Sequence, residues 1–179
     1  MKIGYVVTKY VADKRTELIL KALKKMPKGI RILDVGCGNM HITGAISAKG
    51  YNIIGIDKEA PGEKKWMTKR NYIIMDATKM SFKDNTFDAV IALEIVEHCD
   101  CIPEIKRVLK PGGIFICSTP APGTDWLRNA LISLKLLENQ DFEGHNHTVH
   151  LKKVPMRLLK YKKMFLGTSQ FGIFKKETN

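Results

Sequence analysis

Four acidic residues recur at the same kind of place in this chain. Asp34, Asp57, Asp76 and Glu94 each stand at or just after the end of a short apolar run. A single such acid caps a helix or a turn. Four in succession describe a ligand site, because ligands of an open parallel sheet sit beyond the carboxyl ends of its strands. Beside the first acid, RILDVGCGNMHITG (31–44) places Gly36 and Gly38 one residue apart, directly after a strand-like run. Glycines there let the backbone pass close to a ligand; an ordinary tight turn is the plainer alternative.

Spacing narrows the ligand. A dinucleotide fingerprint needs a third glycine three residues after the second, and His41 occupies that position. A P-loop is excluded because no GK[ST] follows. Asp57, 21 residues after Gly36, suits a pair of ribose hydroxyls, since a carboxylate accepts from both. Asp76, at the third strand end, suits an exocyclic amine. A ribose, an amine-bearing base and no phosphate grip point to S-adenosylmethionine (SAM).

The elements that must position these groups alternate. A helix is predicted over 12–26, stopped by Pro27 and Gly29, followed by a buried strand over 30–36. A short helix at 41–50, strands at 51–57, 71–77 and 87–94, a helix at 99–110 and a strand at 114–119 follow, with Pro111-Gly112-Gly113 as the last turn. A further helix is expected over 124–140, capped by Thr124 or Asp125. VPMRLLKYKKMF (154–165) reads as helix or strand, and QFGIFKKE (170–177) as an edge strand. The expected fold class is α/β, a doubly wound, mostly parallel sheet in three α/β/α layers with an antiparallel edge strand near the C-terminus. One domain is expected over 1–179: a helical segment 1–29, a cofactor-binding core 30–120, and an acceptor-side helix with C-terminal strands over 121–179.

ILDVGCGNM, IIGIDKE, YIIMDATKMSFKDNTFDAVIALEIVEH and IKRVLKPGGIFICSTP resemble, in order and spacing, the motifs of class I SAM-dependent methyltransferases. The branch they resemble is the small-molecule group that includes ubiquinone and menaquinone methyltransferases, and the resemblance covers about residues 30–120. It implies the Rossmann-like fold of that class, SAM as cofactor and methyl transfer as the activity. It also implies that Asp34, Gly36 and Gly38 line the methionine end of SAM and that Asp57 holds the ribose hydroxyls. By the same resemblance Asp76 meets the adenine amine beside the backbone of Ala77, while Leu93 and Glu94 flank the methionine portion. Two positions depart from the family pattern: Met40 stands where many members have a third glycine, and Lys58 where an apolar residue often covers adenine.

Methyl transfer needs a general base only when the acceptor must lose a proton. The candidates are His98 in VEHCD, and His145, His147 and His150 in EGHNHTVH; the alternatives are a structural role for His98 and an ordinary polar loop for His145 and His147. No metal site is expected: Cys99-x-Cys101 is tighter than the usual zinc spacing and no second cysteine pair exists. The absence of [DN]PPY at the fourth strand end lowers base-amine methylation of DNA. RNA and protein acceptors remain open, as does a non-catalytic SAM- or RNA-binding module. A nicotinamide dehydrogenase is disfavoured by His41.

The chain of 179 residues carries a net charge of +12. Residues 1–31 and 152–179 hold +7 each, and the middle −2. Such ends imply weak, nonspecific association with nucleic acid through phosphates; solvated helix faces are the plainer reading. No run is long enough for a signal-peptide core or a membrane span, and four cysteines without an export signal are expected to stay reduced. The expected setting is cytoplasmic, with a small-molecule acceptor as partner and no membrane.

Overall fold

The computed structural model describes residues 3–59, 71–136 and 149–178. Seven strands form one sheet: β1 Arg31–Val35, β2 Asn52–Asp57, β3 Tyr72–Ile74, β4 Phe87–Leu93, β5 Leu109–Pro120, β6 Arg157–Met164 and β7 Ser169–Lys175. Their spatial order is β3-β2-β1-β4-β5-β7-β6. The pairs among β1 to β5 are parallel, and β7 runs antiparallel to both β5 and β6.

The central strands are apolar on both faces because both faces are covered. Ile32, Ile53, Ile91 and Ile116 pack with Ile19 and Leu23 of α1 (Ile3–Leu23) and Ile46 of α2 (His41–Ser47). Leu33, Val35, Ile56, Val90 and Phe115 pack on the opposite face with Ile105 and Val108 of α3 (Ile102–Val108). The alternation of Ile32 and Leu33 between the two clusters is the period-two signature of a strand. The result is the three-layer arrangement implied by the sequence.

Several boundaries differ from the sequence reading. α1 begins at Ile3, well before the expected residue 12, and ends at Leu23 rather than 26. α3 starts at Ile102 and stops at Val108, because Leu109 turns extended (ψ 132°) and Pro111 disfavours helix at the residue before it. The Pro-Gly-Gly stretch does not separate two elements but sits inside β5. Leu109 pairs with Phe87 and Ile114 with Ala89, so 110–113 bulge out of the ladder. Gly113 is required there, since a Cβ would lie 2.9 Å from the Asp88 carbonyl oxygen.

α4 (Asp125–Ser133) is shorter than the expected 124–140; residues 137–140 lie outside those described. Thr124 precedes it without capping it. Its hydroxyl donates instead to the carbonyls of Ala121 and Thr168, at 2.6 and 3.3 Å. Residues 157–164 resolve as a strand. QFGIFKKE also forms a strand, β7, yet it is not at the edge: β6 is. Phe171 and Phe174 of β7 are fully buried, whereas Arg157, Lys160, Lys162 and Lys163 of β6 are exposed. The apolar strand takes the inner place and the lysine-rich strand guards the rim.

Candidate cofactor site at the carboxyl ends of the strands

The parallel register brings the strand ends level. Val35 faces Ile56 on β2 and Ala92 on β4, Ala92 faces Cys117 on β5, and Asp57 faces Ile74 on β3. Beyond that row the chain turns sharply after β1. The amides of Gly36 and Cys37 both donate to the Ile56 carbonyl, at 2.9 and 3.0 Å, and the Gly38 amide donates to Asp57 Oδ2 at 2.8 Å. Three consecutive donors are thereby tied to the end of β2.

The two glycines are needed for different reasons. Gly36 has φ +68°, and a Cβ on it would come within 2.8 Å of Ile95 Cγ1 and 2.9 Å of its Cβ. Gly38 has φ +44°, and a Cβ there would meet nothing within 4 Å. The first glycine admits a neighbouring side chain, and the second leaves open space in front of the turn. Cys37 between them is buried against β2, where a Cβ on Gly55 would lie 2.7 Å from its Sγ. Met40, the departure from the family pattern, adopts the left-handed region with φ 55° and is almost fully buried. It takes the backbone conformation a glycine would take, held there by packing of its side chain.

The four strand-end acids are not equivalent. Asp57, half-buried, accepts from Gly38 and, through Oδ1, from the Glu59 amide at 3.3 Å. Asp76 is exposed; its Oδ1 accepts the amide and hydroxyl of Thr78, both at 2.8 Å, and these bonds hold its carboxyl below the usual range. Its Oδ2 lies 3.9 Å from Lys58 Nζ. Ala77, next to it, is buried. Asp34 is only 3% exposed and accepts the Thr43 hydroxyl at 2.6 Å. Burial outweighs that bond and pushes its carboxyl from 3.8 up to about 7. It braces the turn against α2 from within.

The fourth acid belongs to a cluster that the sequence did not reveal. Glu94, with φ 54°, accepts from Ser118 Oγ of β5 at 2.8 Å and pairs with Arg15 of α1 at 2.7 Å. Arg15 also reaches Ser169 Oγ at 3.2 Å, at the start of β7. Glu97, 2% exposed, accepts the Thr119 hydroxyl at 2.9 Å. Burial, then the charge of Glu94, push it from 4.5 up to about 7, with Thr119 and Arg15 acting against them. Arg15 carries no local signal: in DKRTE it is one charge among several. Leu93, beside Glu94, is half-buried at the end of β4. His98 is half-buried in the following turn, its amide donating to the Ile95 carbonyl at 2.9 Å. His145 and His147 lie outside the described residues.

These residues fit SAM. Asp57 and Asp76 present acceptor oxygens on neighbouring strands, as a ribose diol and an exocyclic amine require, and the space in front of Gly38 is open. The sheet order, with one antiparallel strand inserted beside β5 and a glycine turn after β1, is that of a doubly wound α/β fold, in which ligands sit beyond the carboxyl ends of the strands. A family model described as a methyltransferase domain matches residues 33–117. Residues 33–117 are thus similar to methyltransferase domains.

The chain is also similar to two characterised proteins and, in fold, to a solved structure. The chain is 38% identical over 105 residues to a sterol 24-C-methyltransferase of Gibberella zeae, covering 49% of this chain and 27% of that protein. It is 32% identical over 104 residues to a ubiquinone biosynthesis O-methyltransferase of Roseobacter denitrificans, covering 51% and 42%. The chain therefore spans less than half the length of either relative. A protein from Pyrococcus horikoshii OT3 of known structure shares the fold, with a TM-score of 0.65 at 23% identity over 93% of this chain and 91% of its own.

Proposed function

We propose that this protein transfers a methyl group from SAM to a small-molecule acceptor. The observation that carries the reading is the pair of carboxylates, Asp57 and Asp76, set beside an open glycine turn at adjacent strand ends. Asp57 would hold the ribose hydroxyls. Asp76 would hold the adenine amine, with Ala77 against the ring and the alkyl stem of Lys58 available to cover it. Gly36, Gly38 and Leu93 would line the methionine end. Asp34 supports that end through Thr43 and α2, and Glu94 borders it while anchored by Arg15 and Ser118.

When bound, SAM supplies an electrophilic methyl group on a sulfonium, ready for in-line displacement. The chain's own work is to fix the orientation of both partners and to exclude water. Where the acceptor must lose a proton, His98, His145 and His147 are the histidines proposed to receive it. We read residues 1–179 as one domain whose 121–179 segment borders the acceptor. The names of the relatives, a sterol and a ubiquinone-pathway methyltransferase, favour a small-molecule acceptor over RNA or protein. We assign the protein to the cytoplasm because Cys37, Cys99, Cys101 and Cys117 are all free thiols. Among the described residues no helix is long and apolar enough to cross a membrane.

Two measurements test the reading. Calorimetric titration should give saturable binding of SAM and of its demethylated product, with no heat from NADH. Labelled SAM incubated with fractionated small molecules, RNA and protein should label a small-molecule fraction. Binding of NADH in place of SAM, or label appearing only in RNA or protein, overturns it.

A further inference from the structure

One face of α1 carries side chains that a solvated helix would not choose. Ile3, Val6 and Tyr10 are 64%, 42% and 59% exposed. Their spacing of three and four residues sets them in a single stripe. The same stripe continues through Lys14, Glu17 and Lys21, so the helix face is apolar in its first half and charged in its second. Glu17 bonds both lysines, Lys14 at 2.9 Å and Lys21 at 2.6 Å, which draws its carboxyl down to about 2.

This stripe borders the edge of the sheet. A groove of about 320 Å³ runs between α1 and β6, lined on one side by Tyr10, Lys14 and Lys21, and on the other by Lys162, Lys163 and Phe165. Leu166, the next residue, is exposed with φ 51°. Among the described residues no strand pairs with the outer edge of β6. Exposed apolar groups and a row of four lysines thus share one continuous surface, joined from two distant parts of the chain.

We propose that this surface docks on an anionic lipid bilayer, with Ile3, Val6 and Tyr10 entering the headgroup region and Lys14, Lys21, Lys162 and Lys163 resting on lipid phosphates. Charge selects this occupant. A second copy of the chain, itself at +12, would set lysines against lysines. RNA phosphates would satisfy the lysines and leave Ile3 and Val6 in water. An anionic bilayer takes both halves of the stripe, apolar groups below and phosphates at the rim. The expectation of no membrane rests on the lack of a run long enough to span one. A helix lying in the interface needs no such length, only one apolar stripe with cations beside it.

Co-flotation of the full chain with vesicles tests this without recourse to methyl transfer. Binding is expected to vesicles of mixed phosphatidylcholine and phosphatidylglycerol, and to be at least tenfold weaker to phosphatidylcholine alone. The double substitution Lys162→Glu and Lys163→Glu should weaken it by about twenty-five-fold or more, at roughly a fivefold effect per lysine. The same charge change at Lys83 and Lys106, which lie outside this groove, should leave it within about twofold. Val6→Ser with Tyr10→Ser should remove the part of the binding that survives added salt. Equal binding to both vesicle types, or no binding, overturns the proposal. So does a vesicle affinity untouched by Val6→Ser and Tyr10→Ser alongside tight binding of single-stranded RNA, which would identify the surface as a phosphate grip. Circular dichroism of each variant separates lost docking from lost folding. Because SAM binding is measured separately, failure here leaves the proposed methyl transfer standing, and failure of that reading leaves this one testable.

Discussion

The two halves of the strand-end surface are built by different means. On the side of β1, β2 and β3, the site is made of backbone amides and a hydroxyl that donate to the carboxylates of Asp57 and Asp76. Gly38 bonds Asp57, Glu59 bonds the same Asp57, and Thr78 bonds Asp76. On the side of β4, β5 and β7, it is made of long-range pairs: Arg15 with Glu94, Glu94 with Ser118, Glu97 with Thr119. In the first half Asp57 is only half-buried and Asp76 exposed, and the bonds from Thr78 hold the Asp76 carboxyl below the usual range. The second holds the buried Glu97, whose carboxyl is pushed up to about 7, as that of the buried Asp34 is in the first. The first half can form around an open space for a ligand, whereas the second includes an ion pair, Arg15 with Glu94, that exists only once α1 has docked on the sheet.

The contrast is most easily broken at Gly36. Adding a Cβ there meets Ile95 at 2.8 Å on a backbone with φ +68°. Gly36→Ala should therefore cost about 2–4 kcal/mol, combining left-handed strain with overpacking. Urea unfolding measures it, and a loss below about 1 kcal/mol would mean that the turn is far softer than its packing indicates.

Asp57→Ala probes the same half from its ligand side. Loss of charge-assisted bonds to the ribose should weaken SAM binding by about 1.5–3 kcal/mol while the chain stays folded. An unchanged affinity in a folded variant would show that the ribose is held elsewhere.

On the other half, Arg15→Met should cost about 1–2 kcal/mol of stability, because Glu94 keeps some access to water and a bond from Ser118. In a double-mutant cycle with Glu94→Gln, the two losses should fall short of additive by about 1 kcal/mol. Strict additivity would make α1 and the end of β4 independent.

The pH dependence set by Asp34 is a matter of sign. Asp34 titrates near 3.8 when unfolded and is pushed up to about 7 when folded, so the native state holds the extra proton between those values. Its contribution to stability is present at low pH and is lost as pH rises from about 4 to about 7. Asp34→Asn keeps the shape without the charge. Its stability relative to the parent should improve between pH 5 and pH 8, read from unfolding curves at each pH. A difference that does not change with pH would mean that Asp34 ionises freely in the folded protein.

The sequence by itself determined the strands of the parallel sheet, the glycine turn and the acids at the strand ends. Each of these is a local pattern: a continuous apolar run where both sheet faces are covered, a permissive residue where the chain must reverse, a carboxylate where a strand stops. The tertiary structure decided the rest. Whether Asp34 faced the ligand or the interior depended on Thr43 and on the packing of α2. Which of the last two strands lay at the edge depended on a competition for the place beside β5. The phenylalanines of β7 won it because burying them gains more than burying the lysines of β6. Arg15 was silent in the sequence because its meaning comes from partners on β4 and β7. Periodicity reports only which face of a helix is covered, and a charge acquires a role from whatever the fold brings to meet it.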